Sequence, residues 1–193
     1  MRLEWAVTRA ACTDRDLVER MGSGDEAALR DLYLSYGRRL FAHAYRLTGS
    51  ADRAEDVVQN SLLAAWRATR SYRGDGSVLA WLLGIVRNQS LNAVRRKVLP
   101  TTTLDRAEEA DLATVLPDAQ FEVRERQEAV RAALTRLSAQ HREVLDLVFY
   151  QGLSLAETAQ VCKCPVGTVK SRLHAAKARL RSALDGSRTE TQP

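Results

Sequence analysis

The chain has 193 residues, 45% of them apolar and 27% charged, enough for one medium core or two small ones under a well-solvated surface. Twenty-nine Lys and Arg against twenty-four Asp and Glu leave a net charge of +5, a balance that leans weakly towards a polyanionic partner. Three cysteines make no disulfide framework, the opening "MRLEWAVTRAACTDRD" lacks the apolar stretch of a signal peptide, and the longest uncharged runs are about half a membrane span. The sequence therefore reads as a soluble, cytoplasmic protein with reduced thiols and no membrane insertion.

Helical periodicity begins in "DEAALRDLYLSYGRRLFAHAYRLTG", where Leu29, Leu32, Tyr33, Tyr36, Leu40, Phe41, Ala44 and Leu47 share one stripe and Gly49 suits the helix end. The next segment, "SADRAEDVVQNSLLAAWRATR", has Ser50 as a cap candidate and acids early, where the helix dipole favours them. Its apolar face runs through Ala54, Val57, Val58, Leu62, Ala65 and Trp66. "SYRGDGS" is a loop by its glycines and Asp. "VLAWLLGIVRNQSLNAVRRKV" is a third helix, stopped before Pro100. No strand-like alternation survives, so this half is a helical bundle.

Between Pro100 and Gln120 the periodicity lapses, and from Asp105 to Glu128 eight acids face three arginines. This predicts a flexible acidic linker. Helical patterning resumes at "FEVRERQEAVRAALTRL" and continues through "SAQHREVLDLVFYQG", with Ser138 as a cap and Gly152 as a terminator. The expected fold is all-α: two small helical domains, residues 14–98 and 121–184, joined by a linker over 99–120. Tails occupy 1–13 and 185–193.

The second domain has the layout of a helix-turn-helix. Ser154 and Glu157 form an S-x-x-E capping box, the turn falls near Cys162 to Cys164, and Pro165 sits in the first turn of the next helix. From Thr158 to Leu184 there are six Lys or Arg and no acid. Lys170, Lys177 and Arg181 share a face opposite Val169, Leu173, Ala176 and Leu180. Near the helix start, Thr168, Lys170, Ser171 and His174 are placed to approach bases or phosphates. Cys162 and Cys164 have the wrong spacing for a zinc site and read as packing between the helices. Gly167 stands alone, without a phosphate-loop pattern.

The first domain carries its own acid-free strip, in which Asn88, Asn92 and Arg95 recur at helical spacing beside Arg87, Arg96 and Lys97. An ordinary amphipathic helix explains that segment equally well. The helix "DRAEDVVQN" instead exposes Asp52, Glu55, Asp56 and Gln59, an acidic face suited to a basic protein surface.

Taken together, "AEDVVQNSLLAAW", "YRGDGS", "AWLLGIVRNQSLNAVRR" and "GLSLAETAQVCKCPVGTVKSRLHAAKARLR" resemble the bacterial extracytoplasmic-function (ECF) sigma factors of the sigma-70 family. The resemblance implies that Asp52, Glu55, Asp56, Val57 and Gln59 bind the clamp coiled coil of the largest subunit of core RNA polymerase. It implies −10 recognition by Tyr72, Arg73, Asp75, Arg87, Asn88, Asn92, Arg95 and Arg96, with a base flipped into a loop pocket. Recognition of −35 falls to Pro165, Thr168, Lys170, Ser171, Arg172, His174 and Lys177. A cognate anti-sigma factor is a further implied partner. This chain departs from the family in having Val78 and Leu79 where an aromatic often precedes "WL", and Ala175-Ala176 where Arg-Ala is frequent.

No catalytic constellation, metal set, cofactor motif or small-molecule site is visible, so the expected function is transcription initiation on promoter DNA rather than enzymatic chemistry. Two other readings compete with it. A stand-alone dimeric helix-turn-helix regulator leaves the acidic face and the linker unexplained. A sigma-like protein-binding decoy would carry a receiver domain, and no βα pattern is present.

Overall fold

The computed structural model describes residues 13–72, 74, 76–98, 130 and 132–189. Its first helix, α1 (Asp14–Gly22), is an element that the periodicity above does not predict. Thr13 starts it through a reciprocal cap: its hydroxyl accepts from the Asp16 N–H, while the Asp16 carboxylate accepts from the Thr13 N–H at 2.8 Å. Aspartate stands here where Glu or Gln is usual, which hides the pattern. The helix is short and charged, yet it buries Leu17, Val18 and Met21.

Helix α2 (Glu26–Thr48) is capped by Asp25 and ends at Gly49, whose φ of 67° is open to glycine at little cost. Of the expected stripe it buries Leu32, Leu40 and Ala44, with Ala28 buried beside them. Tyr33 departs from that stripe: it is half exposed, and its ring lies over Gly37, where an added Cβ would come within 2.8 Å of it. Helix α3 (Ala51–Arg67) is capped by Ser50 and buries Ala54, Val57, Val58 and Ala65. A 3₁₀ turn (Thr69–Ser71) leads towards α4 (Val78–Val98), whose Leu82, Leu83 and Val86 fill the centre of the bundle. Each such side chain contributes on the order of 1.5–3 kcal/mol through its removal from water.

In the second unit, α5 (Ala139–Leu145) is capped by Ser138 and runs into a π-helical turn (Asp146–Tyr150). Gly152, at φ 64°, stops it as expected. The capping box opens α6 (Leu155–Cys162), with Ser154 and Glu157 in both reciprocal bonds. Lys163, left-handed at φ 52°, makes the turn. Pro165 lies one position before α7 (Val166–Thr189), where its carbonyl accepts from Thr168 N–H at 2.9 Å. The helix continues to Thr189, past the expected tail start at 185, since a lone Gly186 weakens a helix without ending it.

The described residues contain no strand, and the all-α class stands. The two units are seated against each other. Helix α4 meets α6, and a continuous cluster of buried apolar side chains runs from Leu40, Leu82 and Val86 into Val144, Leu147, Val161, Cys162 and Val169. The linker expected over 99–120 lies outside the described residues, as do Cys12 and most of "FEVRERQEAVRAALTRL".

Candidate nucleic-acid interface

Helix α7 presents its positive face because its apolar stripe is used up underneath. Val169 and Ala176 are buried, and Leu173 packs against the core. Pro165, Lys170, Ser171, His174 and Lys177 are exposed, with Thr168 and Arg172 half-buried beside them. Ser171 donates its hydroxyl to the Thr168 carbonyl at 3.0 Å, so it is partly satisfied within the helix. The Lys177 ammonium lies 5.1 Å from the centre of the exposed Phe149 ring. From Thr158 to Leu184 no acid opposes an anion.

The residues expected to read the −10 element fall into three groups. Tyr72 closes the loop, donating its hydroxyl to the Gly76 carbonyl at 2.8 Å, with its ring 5.3 Å from Trp81. Burial pushes the Tyr72 phenol above its ordinary pKa. Arg73 and Asp75 lie outside the described residues. Further along α4, Asn92, Arg95 and Arg96 are exposed.

Arg87 and Asn88 form the third group, and both are half-buried. Arg87 holds Glu143 of the second unit with two bonds, at 2.6 and 3.3 Å. Burial alone would disfavour its charge, but the paired carboxylate prevails and holds the guanidinium above its ordinary pKa. Asn88 lines a cleft of about 320 Å³ between Tyr72, Ser77 and Trp81 on one side and Gln160 and Lys163 on the other.

On α3, Asp52, Glu55, Asp56 and Gln59 are exposed and share an acidic face. Val57 does not belong to it. Only 3% exposed, it points into the bundle and orients the helix rather than meeting a partner.

Sequence reasoning missed the residues that join the two units. Arg39, His43 and Arg46 recur at i, i+4 and i+7 on α2, and all three engage the second unit. Arg39 donates to the Gln151 side-chain oxygen at 3.1 Å and to its carbonyl. His43 Nδ1 lies 2.7 Å from one Asp146 oxygen, and Arg46 lies 2.7 Å from the other. The Arg46 guanidinium also covers the Tyr150 ring at 4.1 Å. That spacing was the available signal, masked by the stronger apolar stripe of the same helix.

Cys162 is buried, and burial together with the nearby Glu143 charge pushes its thiol up to about 12. Cys164 packs half-buried against the same core, in keeping with a packing role for both. Among the described residues no three His, Cys, Asp or Glu side chains converge on a metal position, and no helix is long and apolar enough to cross a membrane.

The family models define the class first. Residues 32–98 match Sigma-70 region 2 and residues 127–180 match Sigma-70, region 4. The RNA polymerase sigma-H factor of Pseudomonas aeruginosa is 32% identical over 180 residues, covering 89% of this chain and 93% of that protein. The ECF RNA polymerase sigma factor SigL of Mycobacterium tuberculosis is 36% identical over 173 residues, covering 86% and 94%. Among solved structures, CnrH in complex with the cytosolic domain of CnrY superposes with a TM-score of 0.65 at 28% identity, over 90% of this chain and 97% of that one. The sigma factor RpoE of Bartonella quintana, in complex with the anti-sigma factor NepR, gives 0.59 at 27% identity, over 81% and 96%. The chain belongs to the ECF sigma factors of the sigma-70 family.

Proposed function

We propose that this chain is a promoter-specificity subunit of bacterial RNA polymerase, acting in the cytoplasm without covalent chemistry of its own. The exposed acidic face of α3 docks on the clamp coiled coil of the core enzyme's largest subunit, with Asp52, Glu55, Asp56 and Gln59 in contact. The loop from Tyr72 to Ser77 and the polar face of α4 read and help to open the −10 element. The start of α7 reads the −35 element, its exposed Lys170, Ser171 and His174 nearest the bases and its later cations on phosphates. An anti-sigma factor holds the chain inactive, as the complexes formed by the related CnrH and RpoE suggest.

The observation that carries this reading is the division of charge. One exposed acidic helix face and two positive helix faces, on separate units, occur in a chain with relatives named as sigma factors. The test is reconstitution with core RNA polymerase on genomic promoter fragments. New transcripts that depend on this chain support the proposal. A dimeric regulator would instead shift DNA without polymerase and initiate nothing, and a decoy would do neither.

A further inference from the structure

We propose that α1 and the 3₁₀ turn (Thr69–Ser71) form a second nucleotide subsite for single-stranded DNA, in which Arg15 and Arg70 hold the phosphodiester next to the base taken by the following loop. That this strand is the opened −10 strand rests on the function proposed above; the subsite itself rests on the packing of α1. The helix lies before residue 32, where the match to Sigma-70 region 2 begins.

Helix α1 is a fixed part of the first unit. Leu17, Val18 and Met21 are buried, and the Tyr36 hydroxyl of α2 donates to the Asp14 carboxylate. A cavity of about 130 Å³ opens along the seam between α1 and the 3₁₀ turn. Buried Val18 and half-buried Thr69 and Tyr72 line it, together with exposed Arg15, Glu19 and Arg70. No residue of the second unit lines it, so the cavity is open to a ligand whatever the second unit covers.

Two guanidinium groups and a hydroxyl face an anion there. Arg70 enters no ion pair among the described residues. The Thr69 hydroxyl is weakly engaged, 3.5 Å from the Trp66 carbonyl. Arg15 gives its Nε to Glu19 at 3.3 Å, which leaves its terminal nitrogens over Gly74, at 3.4 and 3.7 Å from the position a Cβ would take. Glu19 is the one acid in the lining, and the side chains of the pair are 67% and 68% exposed. A pair so exposed contributes little, and Glu19 opposes a phosphate weakly. The free side of the guanidinium fork suits phosphate, which it binds through two parallel bonds.

Tyr72 decides the class of ligand. Its ring lines this cavity and also the cleft that holds Trp81 and Asn88, and its hydroxyl bond to the Gly76 carbonyl fixes it between them. A single strand with one base in that cleft continues past Tyr72 into the reach of Arg15 and Arg70. A duplex keeps its bases stacked and paired and cannot straddle the ring. Arg15 also lies against Gly74, at φ 76°, so one side chain touches the loop backbone and meets the strand leaving it. A lone phosphate would use only the cations, whereas the Val18 and Tyr72 side chains add an apolar and aromatic surface for the nucleoside.

The test is an NMR titration of the full chain, carrying isotope-labelled arginine, with single-stranded dT6 as the probe. Arg15→Gln and Arg70→Gln variants assign the two side-chain Nε–H signals, and circular dichroism melts confirm that both fold as the wild type does. The two signals should shift together and saturate with dT6, while that of Arg30, exposed on α2, stays in place. The Arg15→Gln/Arg70→Gln double variant should bind dT6 at least about fivefold more weakly, with a salt slope shallower by about 0.7 for each contact removed. Inorganic phosphate at the same phosphate concentration should leave both signals nearly unmoved. Arginine signals that ignore dT6, or an unchanged affinity in the double variant, would overturn the subsite. Equal shifts with inorganic phosphate would overturn its assignment to a DNA strand. Neither polymerase nor a promoter enters, so failure here is distinct from failure of the transcription assay.

Discussion

Ser77 and Glu157 join the starts of two helices in different units. One Glu157 oxygen accepts the Ser77 N–H at 3.1 Å and its hydroxyl at 2.5 Å; the other accepts the Ser154 N–H at 2.9 Å and its hydroxyl at 2.8 Å. Ser77 in turn accepts from the Ala80 N–H at 3.2 Å, so one carboxylate stabilises the cap of α6 and fixes the cap of α4.

That arrangement sets a pH dependence. Burial alone would raise the Glu157 pKa, but the bonds from Ser77 and Ser154 prevail and hold it at about 2, below the ordinary 4.5. A depressed carboxylate contributes stability that is complete above its unfolded pKa and is lost as pH falls through the folded one. Glu157→Gln should lower stability by about 1 kcal/mol at neutral pH, the usual scale of a lost cap. Thermal melts should show the gap between wild type and variant constant above about pH 5, then closing towards about pH 2. A gap that persists unchanged at the acid end would contradict the assignment.

The acidic face of α3 makes a separable prediction. Asp56 is exposed and Val57 beside it is buried, so the two positions divide docking from folding. Asp56→Arg should leave the melting temperature unchanged and weaken core-polymerase binding by at least about tenfold, or about 1.4 kcal/mol. Val57→Ala should do the reverse, lowering stability first through the cavity it leaves. Co-purification with core enzyme and a thermal melt together check both.

Much of this site was legible in the sequence, for identifiable reasons. Ser50, Ser138 and the Ser154–Glu157 box are local signals, and each caps the helix it was expected to cap. The long apolar stripes of α2 and α3 are equally local. The junction was not legible, because Arg39–Gln151, His43–Asp146 and Arg87–Glu143 each pair residues far apart in the chain, and of these only Arg87 was singled out, for the −10 element. Tyr33 was misplaced because spacing alone cannot tell a ring that enters the core from one that folds over a glycine of its own helix. The Thr13 box was missed for its aspartate.

On α7, Lys170 and Arg172 differ in setting, and their substitutions should differ too. Lys170 is exposed, while Arg172 is half-buried beside Cys162 and His141 and contributes to their electrostatics. Lys170→Ala should weaken binding of a −35 fragment by about 1–3 kcal/mol if it meets a base edge, with relaxed preference at that position. If it meets only phosphate, binding should fall evenly across sequences, with a salt slope smaller by about one. Fluorescence anisotropy across a set of mutated −35 fragments at several salt concentrations separates the two outcomes. Arg172→Ala should add a small loss of stability from the packing of its stem.

The cysteine pair yields the last prediction. Only the thiolate is a nucleophile, and burial with the neighbouring Glu143 charge holds the Cys162 thiol up at about 12. At about pH 8 its thiolate fraction is therefore very small, and the side chain is closed to reagent. Cys164, half-buried at the turn, is the more accessible of the two. Brief treatment with iodoacetamide followed by peptide mass spectrometry should find Cys164 alkylated and Cys162 protected. Cys162 should become reactive only in denaturant. Equal labelling of both thiols in the native wild type would show that the helix joint is open, and would count against Cys162 as a core residue.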